Sequence, residues 1–168
     1  MPFVPFHDKF PQLAEQETRT FTILQDGMLP AADYALMELY CDESDCDCRR
    51  VFFYVISSKT KGAVAVITYG WENLQFYKRW LSFDDPQMVK DMKGPGLNFG
   101  SPQSEIAPAV LDVVKTVVLQ DEHYIERLKS HYHLFRSRID SKTNARRLQA
   151  PKKSRTKRSS KRKSARRK

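Results

Sequence analysis

The chain has no apolar run near the roughly 20 residues that a membrane-spanning helix needs, so no such helix is expected. Its N-terminus, Met-Pro-Phe-Val-Pro-Phe-His, lacks a basic stretch followed by a long apolar one. No signal peptide is therefore read, and a soluble, cytoplasmic protein is expected. Catalytic signatures are missing too. There is no G-x-S-x-G, no Walker A loop and no G-x-G-x-x-G between a strand and a helix. His123-Tyr124-Ile125-Glu126 is not H-E-x-x-H, and the zinc-deaminase pattern is absent. Cysteine is scarce and odd in number, three in 168 residues, which argues against a disulfide framework. Acidic residues are missing from residues 141–168, which hold 14 of the 29 Lys and Arg. Removing those 14 leaves 15 basic against all 20 acidic residues in 1–140, a net −5 hidden beneath the overall +9. A mildly acidic body and a strongly basic tail are two different electrostatic objects.

About 140 residues suffice for one domain with a real core and are too few for two comfortable ones. Residues 1–16 read as an arm, because Pro2, Pro5 and Pro11 discourage regular structure. Phe3, Phe6 and Phe10 could still pin it to the body. Strands are predicted at Thr18 to Leu24, Asp33 to Cys41, Arg49 to Ser57 and Ala63 to Tyr69, from alternation and β-branched content. Short connections imply antiparallel neighbours. Helical spacing follows: Trp71 to Leu81, a short helix capped by Asp85 with Pro86 in its first turn, one marked by Ile106 to Val117, and one from Asp121 to Ile139. Tyr124, Leu128, Tyr132, Phe135 and Ile139 give the last helix a single apolar stripe. Four strands followed by helices predict an α+β domain over residues 17–140: a small antiparallel sheet of about four strands, with helices packed on one face. Residues 141–168 use almost only Lys, Arg, Ser, Ala and Thr and are predicted to be disordered.

The chemistry concentrates in one place. Cys41, Cys46 and Cys48 fall within eight residues, at a strand end, a short loop and the start of the next strand. Such a path can converge three thiolates on one point, and zinc suits a tetrahedral set of soft ligands. Of the four histidines, His131 falls on the flank of the apolar stripe, facing the body, while His133 and His123 turn toward solvent. His131 is the candidate fourth ligand of a Cys3His zinc site, with His7 the runner-up. With no histidine in reach, water would take the fourth place and the site could be catalytic. Asp42, Glu43, Asp45 and Asp47 surround the cysteines, and Arg49 and Arg50 follow them as candidates to offset that charge. The paired carboxylates Asp84 and Asp85 are better explained as a helix cap than as an acid–base pair.

Tyr40-Cys41 with Cys46-Asp47-Cys48-Arg49-Arg50-Val51 resembles a motif of an uncharacterised family of bacterial proteins. Some of those proteins look related to chains that carry a SEC-C metal-binding module. Ser101-Pro102-Gln103-Ser104, Ala107-Pro108-Ala109, Tyr124 to Lys129, His131-Tyr132 and Leu134-Phe135 are similar to the same family. The resemblance spans roughly residues 18–139 and implies a metal site and no known activity. The chain departs from the SEC-C pattern in having no cysteine after Cys48; a basic tail stands there instead.

That tail sets Lys152, Lys153, Arg155, Lys157, Arg158, Lys161, Arg162, Lys163, Arg166, Arg167 and Lys168 among Ser and Thr with no aromatic residue. Stacking on bases is thereby disfavoured. Non-specific phosphate attraction through counterion release remains, so nucleic acid is the expected partner. Arg127, Lys129, Arg136 and Arg138 would extend the basic surface along the last helix. Together these features favour a non-enzymatic zinc-binding domain that a basic tail holds near nucleic acid. The alternatives are a metal-dependent enzyme acting on a nucleic-acid or phosphate substrate, and an adaptor whose acidic loop meets a protein partner.

Overall fold

The computed structural model describes residues 3–82 and 85–149, the last eight by backbone alone. Asp84 and all eleven tail cations from Lys152 to Lys168 lie outside the described residues. The chain opens with a short strand β1 (Phe3–Pro5), a 3-10 turn (Phe6–Asp8) and helix α1 (Pro11–Glu17). Strands β2 (Arg19–Ile23), β3 (Ala32–Cys41), β4 (Arg50–Ser57) and β5 (Ala63–Gly70) follow. Then come α2 (Leu74–Leu81), α3 (Pro86–Lys93), a two-residue strand β6 (Gly96–Leu97), α4 (Ala107–Thr116) and α5 (Glu122–Gln149). The fold is α+β, and its antiparallel sheet has six strands rather than about four. The domain end read at residue 140 falls inside α5.

The additional strands explain the arm. Pro11 sits in the first turn of α1, where its missing N–H costs nothing. Phe3 stacks on Phe52 at 3.8 Å, and Phe6 is buried against Tyr40 and the His131 ring. Residues read as an arm therefore belong to the core because their aromatic side chains find buried partners. Strands β1 and β2 share one edge of β3: β1 pairs with Leu39 to Cys41 and β2 with Ala32 to Leu36. Met37 and Glu38 fall in the gap between them.

One face of the sheet carries the core. Tyr34, Leu36 and Tyr40 of β3, with Val51, Phe53 and Val55 of β4, are buried with Val110 and Val114 of α4 and with Tyr124, Leu128, Tyr132 and Phe135 of α5. Each large apolar side chain so buried contributes about 1.5–3 kcal/mol. The α5 stripe buries as its periodicity predicts. Asp85 caps α3 by accepting from the N–H groups of Gln87 and Met88. Helix α2 starts later than its pattern suggests. Asn73 caps it by accepting from Phe76 N–H, and Trp71, outside the helix, packs edge-on against Tyr132.

Candidate metal centre

Cys41 is the last residue of β3, and Cys48 stands two residues before β4. Adjacent strands in register carry these ends to the same end of the sheet, and the six-residue connection between them loops over it. The Sγ atoms of Cys41, Cys46 and Cys48 all lie within 4.8 Å of one another. Cys41 and Cys48 are buried, Cys46 is half-buried, and all three are free thiols. No other Cys, His, Asp or Glu ligand atom joins the group among the described residues.

The three thiols share their protons unequally. Cys48 S–H donates to Cys41, and that bond, outweighing the cost of burial, brings the Cys41 thiol down to about 6. The Glu43 N–H also donates to Cys41. The same interaction with Cys41, with burial added, pushes Cys48 up. Burial first, and then its bond to Cys41, pushes Cys46 up. Without metal, Cys41 ionises first, and the other two thiols, both pushed up, hold its thiolate. A bound dication would replace those shared protons.

Several side chains hold the loop. Asp45 and Arg49 both take left-handed backbone conformations, φ 61° and 47°. For a long side chain such as arginine that conformation is unfavourable by about 1–2 kcal/mol. The Arg49 guanidinium offsets it with two bonds to Asp47, at 3.0 Å each, and one to Glu72 at 3.1 Å. It also lies over the Phe76 ring at 4.7 Å. Asp47, and then Glu72, hold Arg49 still more firmly protonated than usual. Tyr77 Oη donates to Arg49 O at 2.9 Å. Gly70 makes room for that hydroxyl, since a Cβ there would meet it at 2.1 Å.

From the other side, Arg136 of α5 donates to Glu43 O at 2.7 Å and to Cys41 O at 3.3 Å, and pairs with Asp140 at 2.6 Å. Arg136→Ala should destabilise the protein by about 2–3 kcal/mol, because two loop carbonyls lose a charged donor. It should also speed metal release; denaturant melts and chelator competition measure both. The charge pattern of the last helix puts Arg136 on a basic surface, and it is buried instead. Arg127 faces Glu17 and the Tyr124 ring, and Lys129 pairs with Glu126. Of the four helix cations named from the sequence, only Arg138 is an exposed charge without these ties.

His131 is buried and faces the body as its helical position predicts, but it is not brought to the cysteines. Its Nδ1 lies 2.7 Å from Glu38 Oε2 and its Nε2 lies 3.1 Å from Glu17 Oε2. Its ring stacks on Phe6 at 4.3 Å. Both nitrogens are thus engaged by carboxylates, and the Cys3His set is corrected to three sulfurs. His7 faces Glu15, and His133 is exposed beside Tyr132. Arg50 faces Cys48 and Tyr77 electrostatically and makes no ion pair with the loop carboxylates among the described residues. Its Nε–H has no acceptor among the described residues, and its guanidinium lies over Phe52. Sequence reasoning misses Arg136 and Tyr77 as parts of the centre, because their roles depend on what they reach across the fold.

Compared along its length, the chain matches no protein-family model, no curated protein and no solved structure.

Proposed function

We propose that the chain is a zinc-binding domain in which Cys41, Cys46 and Cys48 supply three thiolates and water or an external ligand takes the fourth position. The observation that carries this reading is the mutual approach of three sulfurs within 4.8 Å in a loop clamped from both sides. Soft sulfur donors select zinc over hard cations, and the local resemblance around Cys41 to Val51 points the same way. A cluster of one thiolate and two thiols gives up about two protons when zinc makes all three thiolates. Metal uptake should therefore release about two protons near neutral pH, read by calorimetry in buffers of different ionisation enthalpy, and zinc affinity should fall as pH falls. Stoichiometric zinc in purified protein, with thiols shielded until a chelator is added, supports the reading. Three freely titratable thiols without metal would sink it.

The tail supplies the second part of the proposal. Eleven cations from Lys152 to Lys168, with no acidic residue among them, would hold the domain near nucleic acid without reading its sequence. Deleting residues 150–168 should weaken binding to a mixed-sequence duplex by tenfold or more at low salt. It should also flatten the dependence of affinity on salt, since each phosphate that the tail neutralises adds about 0.9 to the slope. An unchanged slope in the truncated protein would place binding elsewhere.

A further inference from the structure

Arg50 lies on the opposite face of the sheet from the core, and its charge faces Cys48 without a hydrogen bond to the cysteine loop among the described residues. Arg50, Phe52 and Tyr54 alternate along β4 and point away from α5, while Val51, Phe53 and Val55 point toward it. Cross-strand pairing extends this face: Leu39 and Thr68 flank Phe52, and Val66 lies beside Tyr54. Together they floor a groove of about 810 Å³, walled by α3 and by the segment after β6. Tyr54, Met88 and Phe99 on its lining are exposed. Arg50 is 5% exposed, yet its Nε–H meets no acceptor among the described residues. The Phe52 ring lies 5.4 Å from the guanidinium carbon, and the Cys48 sulfur and Tyr77 hydroxyl are its electrostatic neighbours, but none of them accepts from Nε–H. A buried guanidinium is normally matched by a carboxylate or by carbonyl oxygens, because its unmet donors are costly.

We propose that this groove binds a small molecule with an extended aliphatic chain and a terminal carboxylate, the carboxylate meeting Arg50 and the chain lying over Phe52 and Tyr54. A guanidinium offers a carboxylate two parallel N–H bonds. From Arg50 to Tyr54 the strand rises roughly 13 Å, the reach of an extended chain of about ten carbons. The groove's size falls within the range of small-molecule sites. A polyanion such as a nucleotide phosphate fits poorly, since Arg50 is the groove's one cation among the described lining residues and Asp91 also lines it.

The test uses the full chain and two probes of equal length, decanoate and decan-1-ol, titrated calorimetrically. Decanoate should saturate a single site at least tenfold more tightly than the alcohol. Arg50→Gln, with its thermal melt checked, should bring decanoate to the alcohol's affinity and leave the alcohol unchanged. Arg50→Lys, which keeps charge but loses the planar fork, should fall between. If Arg50→Gln does not fold, wild-type protein still decides: saturating decanoate should raise the denaturation midpoint more than decan-1-ol does. Equal binding of the two probes, or full decanoate binding by Arg50→Gln, overturns the proposal. So does Arg50-dependent binding of an apolar peptide C-terminus where decanoate fails. Because Arg50 faces Cys48, both probes are titrated into zinc-loaded and into chelated protein, which keeps failure here separate from failure of the zinc reading.

Discussion

Replacing Cys48 with serine should weaken zinc binding on the order of 10²–10³-fold, the share of one thiolate in a structural zinc site. The sulfur is buried between the strand end and the loop and meets the other two sulfurs. A serine hydroxyl is a poor zinc ligand and leaves a set of two. Competition with a chromophoric chelator measures the loss. Cobalt(II) in place of zinc provides a second readout, since its thiolate charge-transfer absorption should drop by about one third when one of three thiolates goes. Cys46→Ser should weaken the metal comparably and disturb the metal-free fold less, because Cys46 is only half-buried. Retention of metal by Cys48→Ser at wild-type affinity would remove the cluster as the site.

His131→Ala should destabilise the fold by about 3–5 kcal/mol, because it strips a buried carboxylate of its partner. Glu38 is buried, its Oε2 contacts His131 and the Tyr40 hydroxyl, and its Oε1 already lacks a partner among the described residues. The stack on Phe6, which anchors the N-terminal segment, goes as well. The expected fall in Tm is roughly 10 °C for a domain of this size. Zinc stoichiometry should stay the same, which a ligand role for His131 would not allow. A double variant, His131→Leu with Glu38→Leu, should recover much of the loss, since removing both members of a buried pair leaves no orphaned charge. Failure of the double variant to recover stability would assign the loss to packing on Phe6 instead.

His131 shows how far pattern reading reaches. Helical phase places it on the flank of the α5 stripe, and it is buried there. Phase says which way a side chain faces and nothing about what waits for it. Glu38 and Glu17 stand 93 and 114 positions away in the chain, and Glu38 reaches the ring from the core face of β3, between Leu36 and Tyr40. Arg136 misleads for a related reason. A cation on a polar-looking flank is normally solvated, and only the cysteine loop folding onto α5 gives it carbonyls to bond. The arm misleads because three prolines outweigh three phenylalanines in the sequence pattern, whereas Pro11 starts a helix and Phe3 and Phe6 find stacking partners.

Amino-acid order alone yields the α+β class, the four longest strands, the caps and stripe of the helices, the segregation of charge and the crowding of three cysteines. Each of these rests on near neighbours in the chain: alternation, 3.6-residue spacing, a capping side chain, thiols within one short loop. Tertiary structure alone decides that the arm supplies an edge strand, that His131 serves two glutamates rather than a metal, and that Arg136 holds the loop. It also decides that Arg50 is buried beside an open apolar groove. Those outcomes depend on groups far apart in the chain, whose meeting is set by sheet register and by which face each element buries.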